Sequence, residues 1–238
     1  MRLPLELRTE RLVLRAPRTE DAQTIFARYA SDPEVTRLVS WPRHESIHDT
    51  QAFLAMAARQ REDGTAFAYL IESERDGRLL GCTGLTIEDS HRATTGYVLA
   101  RDAWGQGYAT EALRKIVAEA QAVLGVTRVS ALCHVAHATS ETVLGKGGFV
   151  REGTLRGHTV FPNLGVSEPQ DVAIWALVKT AQIAHAEDVR LEQPERIARR
   201  IAARHGVPDL VELLSGAMSG SELTSVLLAV SSKRAGKA

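Results

Sequence analysis

The stretch whose residue types and spacing could do chemistry is Asp102-Ala-Trp-Gly-Gln-Gly-Tyr-Ala-Thr110. Glycines at 105 and 107 free the backbone to turn tightly. Successive N–H groups can then point at one spot, where a following helix adds its partial positive charge. Such a loop is an anion cradle, and phosphate is its usual guest. It is not a dinucleotide fingerprint, because no third glycine follows at the required spacing. It is not a Walker loop either, since no Gly-Lys-Ser/Thr follows. The flanks suit a cradle. Thr95-Gly-Tyr-Val-Leu-Ala100 reads as a buried strand, and the run from Glu111 to Leu124 carries Ala112, Leu113, Ile116, Val117, Ala120 and Val123 at helical spacing.

Three ordered blocks carry a family resemblance. Gly96-Tyr-Val-Leu-Ala-Arg-Asp-Ala-Trp-Gly-Gln-Gly-Tyr-Ala-Thr-Glu-Ala-Leu113 resembles motif A of the GNAT acetyltransferases, in the Rim-type branch of protein N-terminal acetyltransferases. Ser140-Glu-Thr-Val-Leu-Gly-Lys-Gly-Gly-Phe-Val-Arg-Glu-Gly-Thr-Leu155 resembles that branch's S-x-x-V-L-x-K-x-G-F-x-x-E-G segment. Leu7-Arg-Thr-Glu-Arg-Leu-Val-Leu-Arg15 resembles its first strand. The resemblance runs from about residue 7 to about residue 180.

The resemblance implies acetyl transfer from acetyl-CoA to a primary amine, a protein N-terminus or a small molecule, by direct attack on the thioester. It assigns the pyrophosphate to backbone N–H groups of Trp104, Gly105, Gln106, Gly107, Tyr108, Ala109 and Thr110. Val98, Leu99 and Ala100 would meet the thioester arm through their backbone, where the family splays this strand from the one at 128–135. Ser140 stands where relatives place a serine near the sulfur, and its hydroxyl can equally cap the helix that starts there. His137 replaces the usual asparagine as a cofactor contact and donor. Tyr108 is a further acid or a packing residue. Asp102 stands where the family often has Gln or Arg and is read as turned away to cap the loop. Arg101 is the phosphate partner in its stead, or a solvated side chain.

The base departs from the pattern. Relatives commonly read Ala-Glu-Ile-Gly-Tyr, but this chain has Ala93-Thr-Thr-Gly-Tyr97, and Thr94 cannot act as a base near pH 7. Glu88, Asp89, His134 and His137 are the candidates, His134 having the pKa range suited to neutral pH. A water chain is the alternative. These departures motivate a second reading, a catalytically degenerate CoA-binding sensor or interaction module. Gly145 and Gly147, replacing larger residues, predict a loosened helix at the cofactor mouth and room for a larger acyl group.

The elements that must position these residues give an α+β order: a mostly antiparallel mixed sheet with helices on both faces and one parallel crossover around the cradle helix. Thr9 to Arg15 reads as the first strand. Thr19-Glu-Asp21 starts a helix through Tyr29, and Asp49 or Thr50 starts another through Phe53 and Ala57. Trp41 lies in the loop between them, as an acceptor-pocket wall or a core anchor. Phe67–Ile71 and Leu79–Ile87 form a hairpin through Asp76-Gly77. Residues 1–180 are thus expected to form the acetyltransferase domain. Residues 181–238 form an extension whose helices, over about 194–204, 208–214 and 221–230, would dock in cis, in a homodimer or on a partner.

Lys+Arg and Asp+Glu are both 29, so the net charge is zero. That disfavours a general nucleic-acid or membrane-surface binder. No apolar run approaches the ~20 residues of a membrane span, and no signal peptide is read at the start. Cys82 and Cys133 lack metal-ligand spacing and read as reduced packing residues, so no metal is expected and the location is cytoplasmic.

Overall fold

A computed structural model describes residues 2–179, and the helices expected beyond residue 180 lie outside the described residues. The chain divides after Lys179 into two units, of which Met1–Lys179 is the one considered below.

Eight strands form one sheet: β1 (Glu6–Arg8), β2 (Leu12–Arg15), β3 (Ala66–Ser73), β4 (Leu79–Ile87), β5 (Arg92–Leu99), β6 (Arg128–His134), β7 (Val150–Thr159) and β8 (Gln170–Val178). Their spatial order is β1-β2-β3-β4-β5-β6-β8-β7, antiparallel throughout except for the parallel pair β5–β6. The helices are α1 (Ala22–Ile25), α2 (Pro33–Thr36), α3 (Ile47–Asp63), α4 (Tyr108–Val123) and α5 (Ala138–Lys146). This is the expected mixed α+β sheet. The residue-level reading differs in three places. The first strand is two, because Thr9 turns the chain: its N–H donates to Leu12 O at 2.9 Å and its Oγ1 accepts from Leu12 N at 3.0 Å. The first helix is a single α turn that widens into a π turn over Phe26–Ala30. The third helix starts earlier than expected, at Ile47, because Asp49 Oδ2 accepts from Ser46 N–H at 2.9 Å and caps it from within.

Each face of the sheet buries its own cluster. On one, Leu12, Leu14, Tyr69 and Ile71 pack against the α4 stripe of Ala112, Leu113, Ile116 and Ala120, all fully buried. On the other, Ile25, Tyr29, Leu54 and Leu70 join α1 and α3 to the sheet. Burying a side chain such as Leu113 or Ile116 stabilises by about 1.5–3 kcal/mol. The α4 axis, and with it the loop at its N-terminus, is therefore held firmly.

The parallel pairing of β5 with β6 is confined to Arg92–Thr94 against Arg128–Ser130. Beyond it β5 stays with β4 to Leu99, while β6 stays with β8 to His134. Gly81 helps draw them apart: a Cβ there would sit 2.1 Å from Val98 O, so only glycine lets β4 hold this end of β5 so closely.

Candidate active site

The cradle is built from both sides. Gly105 and Gly107 have φ of +74° and +82°, the left-handed region in which other residues are strained. Gly107 is the N-cap of α4 and brings no capping side chain. The N–H groups of the first turn are thereby left for an external acceptor. Asp102 is turned away, as expected, but it does not cap: its oxygens accept from Arg28 at 2.7 Å and Arg78 at 2.8 Å. The Arg28 guanidinium holds its carboxyl below the usual range. Arg101 pairs with Asp32 at 2.7 Å. Outside the loop, Arg11 donates to Gln106 O at 3.1 Å and lies over the Tyr108 ring at 4.8 Å. Glu111 accepts from Thr9 and Arg11, fastening the β1–β2 turn to α4.

Three adjoining cavities run from this loop through the β5–β6 gap. The first, about 270 Å³, is lined by Val98, Leu99, Trp104, Gly105, Gly107, Ala109, Thr110, His137, Ser140 and Lys146. The second, about 440 Å³, shares Tyr97, Val98, His137 and Ser140 with it and adds Cys133 and Phe161. The third, about 590 Å³, shares Trp41, Phe53, Cys82 and Val98 with the second and adds Tyr29, His44 and Asp49. At the loop end, an open hollow of about 700 Å³ carries Arg11, Arg114, Lys115 and Lys146. Lys146 forms no ion pair among the described residues and borders both the hollow and the first cavity.

Most of the anticipated residues converge here, and some do not. Gln106 and Tyr108 lie outside the lining: the Gln106 amide donates to Asp102 O at 2.7 Å, and Tyr108 packs on the core. Ala100 is buried, its N–H donating to Leu80 O at 2.8 Å and its carbonyl accepting from Ala103 N at 2.9 Å. That bond fixes the alternation along β5, because paired residues recur every second position in an antiparallel ladder. Val98 thus turns its backbone to Cys82, while Tyr97 and Leu99 turn theirs toward the gap. The Leu99 carbonyl is met by the Trp104 indole N–H at 2.8 Å. So the backbone groups at the gap belong to Tyr97 and Leu99, and Val98 contributes its side chain.

Ser140 is not the helix cap. His137 is the N-cap of α5, and the buried Ser140 hydroxyl, inside the first turn, is 2.8 Å from Tyr97 Oη. Burial pushes the Tyr97 phenol up to about 12 and the Cys133 thiol up to about 11. The His137 ring borders the first two cavities, and burial lowers its pKa, so it is neutral at pH 7. His134 is not itself a lining residue but backs one: its Nδ1 accepts from Ala136 N–H at 3.0 Å and its ring meets Phe161 edge-on at 4.9 Å. Glu88 and Asp89 lie at the paired end of β5, away from the gap, with Asp89 held to about 2 by the His91 N–H and the Arg92 guanidinium. Gly147 does not loosen α5. A Cβ there would meet Leu113 Cδ2 at 2.8 Å, so glycine is what lets α5 close on α4. Tyr97, Lys146 and His44 were not singled out from sequence. Only Lys146, a cation ending the helix beside the cradle, left a local signal.

An uncapped helix start beside cations, opening into a gap between parallel strands, is the layout of an enzyme that binds a phosphorylated, extended donor. The acetyltransferase (GNAT) domain profile matches residues 11–150, and the chain belongs to that family. The uncharacterized N-acetyltransferase YoaA of Bacillus subtilis (strain 168) is 31% identical over 175 residues, 73% of this chain and 96% of that protein. Two solved structures share the fold. The microcin C7 self-immunity acetyltransferase MccE, in complex with acetyl-CoA and AMP, has TM-score 0.65 at 20% identity over 71% of this chain and 93% of that one. RimL, a ribosomal L7/L12 alpha-N-protein acetyltransferase in complex with coenzyme A, has TM-score 0.65 at 19% identity over 74% and 97%. The protein is thus an acetyltransferase. No helix among the described residues is long and apolar enough to cross a membrane, and no His/Cys/Asp/Glu group among them could hold a metal.

Proposed function

We propose that this acetyltransferase moves the acetyl group of acetyl-CoA onto a primary amine carried on an apolar body, a small molecule or a protein N-terminus. The observation that carries the reading is the run of three cavities, each sharing lining residues with the next, from the uncapped α4 N-terminus along the β5–β6 gap to a chamber walled by Trp41, Phe53 and Tyr29. Acetyl-CoA supplies an acyl carbon whose bond to sulfur yields to an amine. The residues fit its parts. Backbone N–H groups of Ala109 and Thr110, with Lys146 beside them, suit a pyrophosphate. The backbone groups of Tyr97 and the N–H of Leu99, turned toward the gap, suit an amide-bearing arm. Ser140 Oγ, backed by Tyr97, holds a proton where the first two cavities meet and serves the departing sulfur. His137, neutral and with no side-chain hydrogen-bond partner among the described residues, is a second donor there. Cys133 stays a thiol at pH 7 and is no nucleophile, which favours direct attack over an acyl-enzyme. Two free thiols fit a cytoplasmic setting.

Calorimetric titration with acetyl-CoA and desulfo-CoA, followed by thiol-release assays on a panel of amines, tests the reading. Binding of both with amine-dependent thiol release is expected. Binding without turnover on any amine would leave a cofactor-sensing protein instead.

A further inference from the structure

The run of cavities lacks an evident base at its acceptor end, and the titratable groups of that chamber are few. They are Tyr29, Cys82, Arg43, Glu45, Asp49 and His44. Burial pushes the Tyr29 phenol well above 10 and the Cys82 thiol up to about 12, so neither loses its proton near neutrality. Arg43 is a fixed cation whose guanidinium turns back toward Ser31 O at 3.4 Å. Asp49 is engaged in capping α3 and sits below the usual range because the N–H groups of Ser46 and Glu45 bind it. Glu45 is exposed at the rim, where its charge can attract an ammonium without being desolvated beside it.

His44 differs from all of these. Its ring lies between Trp41, at 5.3 Å, and Phe53, at 6.4 Å, the two aromatic residues that line both the acceptor chamber and the gap. Its Nδ1 is 2.8 Å from Oγ1 of the fully buried Thr50, and its Nε2 has no partner among the described residues. In the same chamber, the buried Tyr29 hydroxyl is engaged with the Cys82 thiol. The unpaired Nε2, in a chamber walled by aromatic rings, is an acceptor open to a polar ligand.

We propose that His44 is the catalytic base for the acceptor, an assignment that rests on the acetyltransferase reading above. In the tautomer this role requires, Nδ1–H donates to Thr50 Oγ1 and the Nε2 lone pair is left for the acceptor. Nε2 takes one proton from the ammonium, giving imidazolium and a neutral amine. The amine lone pair then forms the N–C bond as the C–S bond breaks, and the electron pair leaves on sulfur. The second nitrogen proton ends on the thiol product, and the imidazolium returns its proton to water. Burial lowers the His44 pKa and Asp49 partly opposes this, so the ring is neutral and competent at pH 7.

The test uses the full chain with 2-phenylethylamine and an alanyl peptide as acceptors. His44→Gln should lower kcat roughly 100-fold, the usual scale of a lost general base. The acid limb of the kcat–pH profile should vanish, with the acetyl-CoA Kd unchanged by calorimetry. In the wild type, that limb should coincide with the His44 ring titration followed by NMR. Imidazole added to His44→Ala should restore turnover, and Thr50→Val should shift the ring titration and slow the rate. Retention of the wild-type rate or of the acid limb in His44→Gln overturns the assignment. So does a loss of acetyl-CoA affinity that accounts for the lost rate. If the wild type binds no acetyl-CoA or releases no thiol, the acetyltransferase reading fails. If it does both and His44→Gln matches it, only the role of His44 fails.

Discussion

Tyr97 and Ser140 meet across the gap from β5 and α5, and their shared hydrogen bond ties catalysis to stability. Replacing Ser140 with alanine removes the proton held there, and kcat should fall by ~10²-fold. Tyr97→Phe, which leaves the serine hydroxyl in place, should cost less in rate. It strands a buried hydroxyl, at about 1–3 kcal/mol of stability by denaturant titration. Alkaline pH adds a separate signature. The Tyr97 phenol rises from 10.0 to about 12 and the Cys133 thiol from 9.0 to about 11, both by burial. The folded state therefore keeps protons that the unfolded chain has released. This contribution is complete below pH 9 and is lost as pH climbs toward 12. Tyr97→Phe should remove on the order of 2 kcal/mol of the alkaline fall in unfolding free energy, with the change confined above about pH 10. An unchanged alkaline slope in that variant would mean the phenol is not held neutral by the fold.

Among the elements, the loop carrying Trp41 is the one with least local support, and Asn163 fastens it. From the β7–β8 connection, its Nδ2 donates to Thr36 O at 2.7 Å and to Trp41 O at 2.9 Å, while its Oδ1 accepts from Arg43 N at 2.8 Å. Asn163→Leu strands those three backbone groups. It should raise the KM for the amine and cost about 1–3 kcal/mol of stability. The acetyl-CoA Kd should stay put, since none of the three Asn163 bonds reaches α4 or the cradle loop. Equal losses of both affinities would place the strap in the general scaffold rather than at the acceptor wall. None of this was visible in the chain's order. Asn163 lies far along the sequence from Trp41, and a contact of that range leaves no periodicity. Glycines 105 and 107 were legible because positive φ has a residue signature, and α4 because its apolar stripe repeats with the helical period. The β5–β6 gap was legible only through family resemblance. Backbone separation is written in no side chain, and which β5 residues face it depends on a register that only the Ala100–Leu80 bond reveals.

At the scale of the molecule, every residue given a role above lies within residues 2–179. Both buried clusters, all eight strands and every cavity named above lie inside that span. Its last strand, β8, is central to this closure, pairing with β6 along Arg128–His134 and with β7 on its other side. Lys179 adds one further bond, its N–H donating to Thr127 O at 2.7 Å. A cut after Lys179 therefore leaves every strand, core residue and cavity wall described above in place. We propose that residues 1–180 are a self-sufficient acetyltransferase domain. The shortened chain should unfold in one cooperative transition and bind acetyl-CoA with the full-length Kd. A cut after Asp171, by contrast, deletes most of β8 and leaves β6 and β7 without their shared partner, so it should not fold. If the Lys179 cut binds acetyl-CoA normally but loses turnover on a protein acceptor while keeping it on 2-phenylethylamine, the remaining residues serve acceptor recruitment. If it loses acetyl-CoA binding as well, they are part of the catalytic domain and the boundary is wrong.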